Sequence, residues 1–269
     1  MFLPDSIDLG HSEKYILSIR IKSNGFMFSI TDPDSKRNYC LRETTFSGDD
    51  NLLDNVQRIV FELSFLTQEY KRTNVVIVSE EYDLVPADYF DKKKKEELYN
   101  YTHSDKVNNV LSGLVESQDV VILYGVEKDL YDFLSRNLWA PVFYHHSNLL
   151  INLFEEKGRI RSDISKMYLN FHGNLMDVIC FSGSKLLHSL TYENEAPANQ
   201  IYFVLKLWER FGFDQMHDYI YISGHPDEQI MTKLQLYVRN VERSAPPSEV
   251  YLWNEDAQKA PLDLLTLSL

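Results

Sequence analysis

From Lys14 to Ile21 polar and apolar positions alternate, Ser23-Asn24-Gly25 interrupts the pattern, and alternation resumes from Phe26 to Thr31. A period of two sends successive side chains to opposite faces, so these segments predict two strands. Asn24-Gly25 between them predicts a type I′ hairpin, whose two central residues need positive φ. After Asp32-Pro33-Asp34 a third strand is expected from Arg37 to Phe46, which completes a meander. The period then changes. Leu52, Leu53, Val56, Ile59, Val60, Leu63 and Leu66 recur at helical spacing up to Tyr70, with Asp49 and Asp50 placed to cap the helix. Val75 to Ser79 is a continuous apolar run, as expected of a strand covered on both faces.

The same order returns in the second half of the chain. Ser165 to Phe171 and Leu175 to Phe181 flank the turn His172-Gly173-Asn174, and Ser182-Gly183-Ser184 leads into a third strand from Lys185 to Tyr192. Ala196 to Phe211 carries Ile201, Val204, Leu205 and Trp208 at helical spacing, Gly212 ends it, and Tyr219 to Ser223 is a strand. Each copy is then expected to add a helix and a strand. In the first, a helix begins near Pro86, Val120 to Tyr124 is a strand and Leu130 to Leu138 a helix; in the second, Pro226 to Val241 is a helix and Val250 to Trp253 a strand. The chain therefore predicts an α/β protein of two similar lobes, 1–158 and 159–269, divided near Gly158.

Composition changes this picture in three ways. With 269 residues, 44% of them hydrophobic, the chain can bury one large core or two modest ones, and disorder is not expected. Its longest apolar runs fall far short of the roughly 20 residues that cross a bilayer, and the start, Met1-Phe2-Leu3-Pro4-Asp5, lacks a basic flank and an apolar signal segment. Cys40 and Cys180 lie in apolar strands and are expected as buried free thiols, in keeping with a reducing, cytoplasmic compartment. A formal net charge of −13 disfavours nucleic acid as a partner, because phosphate backbones are held through Lys and Arg.

Two tandem copies of meander, helix, strand, helix and strand resemble the actin, sugar kinase and Hsp70 superfamily, with its paired ribonuclease-H-like lobes. More narrowly, Val78-Ser79-Glu80-Glu81-Tyr82-Asp83-Leu84-Val85-Pro86 with Tyr89-Phe90 resembles a bacterial family of unknown function with an actin-like ATPase fold. The resemblance implies a phosphate-binding Asp-x-Gly hairpin in each lobe, the Asp organising magnesium and the Gly admitting phosphate oxygens to backbone N–H groups. Here Arg20 or Ser18 stands where the first acid belongs, and Asn170 and His172 replace the Asp and Gly of the second. Tyr219-Ile220-Tyr221-Ile222-Ser223-Gly224-His225 resembles the strand ending in Gly-Gly beneath adenine, with His225 in place of the second Gly. The resemblance thus points to Asn24, Gly25, Asn170, His172, Gly173, Asn174, Gly224 and His225 as lining a cleft between the lobes. No catalytic residue or metal ligand is assigned.

Other candidates have plainer readings. His145-His146 ends an apolar strand, where neighbours point to opposite faces and cannot easily chelate one ion. Lys92 to Lys95, followed by Glu96 and Glu97, is either a docking patch or a solvated helix face. Asp163 and Asp177 do not make a nuclease site, and alternation makes Asp177 a solvent-facing strand residue. No Walker loop, Gly-x-Ser-x-Gly elbow, His-Glu-x-x-His or Cys-x-x-Cys is present. Two functions follow from different classes: a noncatalytic actin-like binding or scaffold protein with an unknown protein partner and no cofactor, or a diverged ATPase or kinase using ATP and magnesium.

Overall fold

The computed structural model of the chain describes residues 7–35, 38–46, 51–158, 163–193, 196–244 and 246–269. The first alternating segments form β1 (Ile16–Lys22), β2 (Gly25–Thr31) and β3 (Tyr39–Thr45). Lys22 pairs with Gly25, so the hairpin loop is Ser23-Asn24. Neither Asn24 nor Gly25 has positive φ, and the type I′ turn expected there does not form. Gly25 sits instead in β2, where a Cβ would meet Cε of Lys22 at 2.7 Å and the Thr44 carbonyl at 3.2 Å. Its small size serves close packing, not the turn. Helix α1 (Leu52–Glu62) follows, capped by the Asn51 side chain, which accepts from the Asp54 N–H at 2.8 Å. The expected cap at Asp49-Asp50 and the Met1–Asp5 start lie outside the described residues. Strand β4 (Arg72–Ile77) then pairs parallel to β1.

An insertion intervenes before the sheet is completed. It contains β5 (Tyr82–Pro86), α2 (Lys95–Thr102), β6 (Val110–Val115) and β7 (Val120–Gly125), and its three strands form their own sheet in the order β5-β7-β6. The expected strand Val120–Tyr124 thus forms, as Val120–Gly125, but does not join the main sheet of the first copy, and the residues just after Pro86 are short 3-10 turns ahead of α2. A short apolar run reports burial, not which sheet it enters. After α3 (Lys128–Asn137), β8 (Val142–His145) pairs parallel to β4 and gives the order β3-β2-β1-β4-β8.

Helix α4 (His146–Gly158) leads to the second copy: β9 (Ser165–His172), β10 (Leu175–Ser182), β11 (Lys185–Glu193), α5 (Pro197–Arg210), β12 (Tyr219–Gly224), α6 (Glu228–Leu234) and β13 (Asn240–Arg243). Proline at the first turn of α5 has no N–H to leave unsatisfied there. The sheet order is β11-β10-β9-β12-β13, with the meander antiparallel and the last two strands parallel, so the two sheets share one strand order, although the helix expected over Pro226–Val241 ends at Leu234 and the last strand begins at Asn240, inside that expected helix. One face of this sheet, including Met167, Leu169, Val178, Cys180, Ile220 and Ile222, packs with Val204 and Trp208 of α5 and Ile230 and Leu234 of α6. Cys40 and Cys180 are buried free thiols; burial pushes the Cys40 pKa up to about 11, so its reactive thiolate is scarce at neutral pH. No helix among the described residues is long and apolar enough to cross a membrane.

By contacts the chain divides into Met1–Leu114, Asp119–Leu149 and Pro246–Leu269 as one unit, and Val115–Gln118 with Leu150–Ala245 as the other. The boundary falls within α4, ahead of Gly158, and the last residues belong to the first unit instead of the second. The segment expected as a strand at Val250–Trp253 is a 3-10 turn (Ser248–Leu252), followed by α7 (Glu255–Lys259) and α8 (Leu262–Thr266).

These final turns complete the first unit. Asn254 Nδ2 donates to the Tyr39 carbonyl, the Asp256 carboxylate accepts from the Leu41 N–H at 3.1 Å and Arg42 at 2.9 Å, and Thr31 and Ser268 hydroxyls meet at 2.9 Å. Arg20 on β1 donates through Nε to Asp263 Oδ2 at 2.7 Å, with both side chains only 3% exposed. A charge removed from water this completely needs its counter-charge. Urea unfolding of Asp263→Ala is therefore expected to show a loss of about 3–5 kcal/mol, most of it recovered in Arg20→Met/Asp263→Leu. A loss under about 1 kcal/mol, typical of an exposed pair, contradicts this.

Candidate functional site

Strand register brings together residues far apart in sequence within the second unit. Asn170 on β9 lies directly opposite Asp177 on β10, Asp177 opposite Thr191 on β11, and Asn170 beside Ser223 on β12. Because directly opposed residues share a sheet face, the four side chains form one row across four strands. Thr191 Oγ1 donates to Asp177 Oδ1 at 2.8 Å, Asn170 Nδ2 to Asp177 Oδ2 at 2.9 Å, and Ser223 Oγ to Asn170 Oδ1 at 3.0 Å. His172, two residues along β9, reaches the same Asp177 Oδ2 with Nε2 at 2.8 Å.

Asp177 is 1% exposed, which overturns its expected solvent-facing position. Both faces of the sheet are covered: α5 and α6 pack on one, while on the other Phe154 of α4 stacks on Tyr168 at 4.3 Å and Tyr168 on Tyr221 at 5.2 Å. Alternation therefore separates two buried environments here. Asp177, Thr191 and Ser223 were not legible as a group from local motifs, although counting back from the hairpin loop already places Asp177 opposite Asn170.

The expected loop residues sit at the ends of these strands. His172 pairs with Leu175, leaving Gly173-Asn174 as the loop, and Gly173 alone of the two has positive φ, at 61°, as a type II′ turn requires. Gly173, Asn174, Gly224 and His225 are exposed, and His172 is nearly buried. Gly224 has φ of 74°, and a Cβ there would lie 1.8 Å from the Phe171 carbonyl oxygen, which accepts from the His225 N–H at 3.2 Å. The backbone crossing between β9 and β12 thus demands glycine without any nucleotide.

Equivalent positions in the first unit follow from register, with Lys22–Gly25 corresponding to His172–Leu175. Arg20 then takes the place of Asn170, Met27 that of Asp177 and Glu43 that of Thr191. Where the second unit has a neutral amide bound to a carboxylate, the first has the Arg20 guanidinium bound to Asp263. Asn24 is exposed and Gly25 buried at the tip of that hairpin.

The first unit also holds a buried ring cluster. His145 lies 4.6 Å from Tyr82, 5.1 Å from Tyr124 and 4.5 Å from His146, centroid to centroid. The two imidazoles are not on opposite faces as expected, because the chain turns from β8 into α4 between them. Ser79 donates to the Glu81 carbonyl at 3.1 Å, so its oxygen accepts from His145 Nε2 at 3.3 Å, while His145 Nδ1 accepts from the Ser147 N–H at 3.4 Å. These contacts fit the tautomer of His145 that carries its proton on Nε2.

In the polar row, removing Asp177 takes away the carboxylate shared by the buried Asn170 and Thr191 and the nearly buried His172. Asp177→Ala is expected to lower the unfolding free energy by at least about 2 kcal/mol, read from the urea midpoint at unchanged slope. A change within about 0.5 kcal/mol, the range of surface substitutions, sinks the structural role given to this row.

The chain is similar over 97% of its length to a protein from Bacteroides thetaiotaomicron with an actin-like ATPase fold and unknown function, covering 98% of that chain at 27% identity and a TM-score of 0.84. It is also similar over 94% of its length to a chain of the PilM-PilN type IV pilus biogenesis complex, covering 97% of that chain at 13% identity and a TM-score of 0.58. No curated protein matches the sequence. Both likenesses agree with the paired sheets, and the chain has an actin-like ATPase fold. The family model for proteins of unknown function DUF3822 matches residues 4–241, and the chain belongs to that family.

Proposed function

We propose that this protein is a noncatalytic member of the actin-like fold that works by binding a protein partner and not by transferring phosphate. Arg20 carries the reading. At the hairpin position where the resemblance calls for a magnesium-organising acid, a buried guanidinium is held by Asp263 at 2.7 Å. The position is filled by a closed ion pair and offers no free carboxylate to a divalent cation, and phosphoryl transfer depends chiefly on metal and positioned charge. In the second unit the corresponding Asn170 is neutral and occupied with Asp177 and Ser223. Both Asp177 oxygens already accept hydrogen bonds from Thr191, Asn170 and His172, so holding a metal means giving these up. Gly224, the residue most suggestive of an adenine site, has a sufficient structural reason in its approach to Phe171.

A binding role is supported by the fold's occurrence in a chain of the PilM-PilN type IV pilus biogenesis complex, which says nothing of this protein's own partner. The competing reading, an ATPase or kinase, predicts turnover. Incubated with ATP and magnesium, the purified full chain is expected to release phosphate no faster than a buffer blank. Release tenfold above the blank that is lost in Asn170→Ala, with the fold of the variant verified by circular dichroism, overturns the proposal.

A further inference from the structure

The first unit has a polar row of its own, one step along β1 from Arg20. Ser18 on β1 lies opposite Ser29 on β2 and Asn74 on β4, so the three side chains share one face of the sheet. The Arg20–Asp263 and Thr31–Ser268 contacts flank the row on that same face, which brings the final turns of the chain over it. Ser29 and Asn74 have no exposed surface, and Ser18 only 1%. Asn74 Nδ2 donates to Ser18 Oγ at 3.0 Å. There the internal bonding stops: among the described residues neither Asn74 Oδ1 nor Ser29 Oγ has a hydrogen-bond partner. The Tyr39 hydroxyl, close to Ser29 but outside hydrogen-bond geometry, is a third such atom.

Polar atoms removed from water this completely are costly to leave without partners. Their chemistry says what suits them. Asn74 Oδ1 only accepts. Ser18 already accepts from Asn74 and has its hydroxyl proton left to donate, while Ser29 can do either. A cation has no use for the Ser18 proton and finds no carboxylate in the row, and an anion is repelled by the Asn74 carbonyl oxygen. Water donates and accepts at once. Neighbouring strands lie about 4.8 Å apart, so Asn74 and Ser29 stand on either side of Ser18, and the two short serine side chains leave depth between them. A molecule above Ser18 reaches all three, and three hydrogen bonds are typical of buried water.

We propose that the first unit holds an internal water above Ser18, which accepts from the Ser18 hydroxyl and donates to Asn74 Oδ1 and Ser29 Oγ. It belongs at one of the two first-strand positions where the resemblance calls for a magnesium-organising acid, so neutral hydration takes the place of a metal there. The inference goes beyond the partner-binding reading and does not rest on it.

The test is a pair of high-resolution crystal structures of the full chain, one grown with magnesium and one with a chelator. Both are expected to show the same solvent peak about 2.7–3.0 Å from Ser18 Oγ, Asn74 Oδ1 and Ser29 Oγ. A row with no peak, a peak out of reach of Asn74 Oδ1, or Asn74 Oδ1 bonded instead to a protein donor overturns the proposal. So does a peak found only with magnesium and about 2.0–2.1 Å from its oxygen neighbours, the spacing of a bound magnesium ion. That last result also counts against the noncatalytic reading, whereas a dry row sinks the water alone.

Discussion

A guanidinium buried on the first strand of a sheet dictates much of this chain's organisation. Arg20 is out of water, so its counter-charge must be delivered to it, and the chain delivers Asp263 from its far end. That requirement ties the final turns, from the Ser248–Leu252 3-10 turn through α8, to the first unit although they follow the second in sequence. Once there, the same segment meets the edge strand β3 with Asn254 and Asp256, which satisfy backbone groups that an open sheet edge would leave exposed. Trp253 adds a ring contact with Tyr39 at 6.0 Å. The buried charge thus takes part in a long-range closure that no local propensity specifies, together with the buried Leu262, Leu264 and Leu265 of the same segment.

The two copies solve one structural problem with different chemistry. At the third position before each hairpin loop, a polar group sits in a sheet covered on both faces. In the first unit the group is a cation neutralised by the tail; in the second it is an amide held in a row with Asp177, Thr191 and Ser223, with His172 closing on the same carboxylate. Buried polar groups persist only when their hydrogen bonds are made. Both arrangements engage, within each unit, the polar side chains at these hairpin positions.

Much of the fold was legible in the sequence. Alternation located β1, β2, β9 and β10, helical spacing located α1 and α5, and the repeated order of elements carried the resemblance that the family match bears out. What failed has physical causes. Asn24-Gly25 read as a turn because glycine tolerates positive φ, whereas here Gly25 serves a close approach to β3. Val120–Tyr124 read as a strand of the first copy's main plan because an apolar run does not name its neighbours. Asp177 read as exposed because alternation on a doubly covered sheet separates two kinds of burial, not inside from outside. Of the expected site residues, Asn170 and His172 meet in one network, while Asp177, the group that joins them, was visible only through register.

The central claim is that the hairpins of this actin-like fold have been taken over by internal structure. Calorimetric titration of the full chain with ATP and magnesium at 25 °C tests it most directly. Binding no tighter than about 1 mM, roughly 4 kcal/mol, is the result expected of hairpins occupied by Arg20–Asp263 and Asn170–Asp177. A dissociation constant below about 100 µM, more than roughly 5.5 kcal/mol of binding, contradicts it.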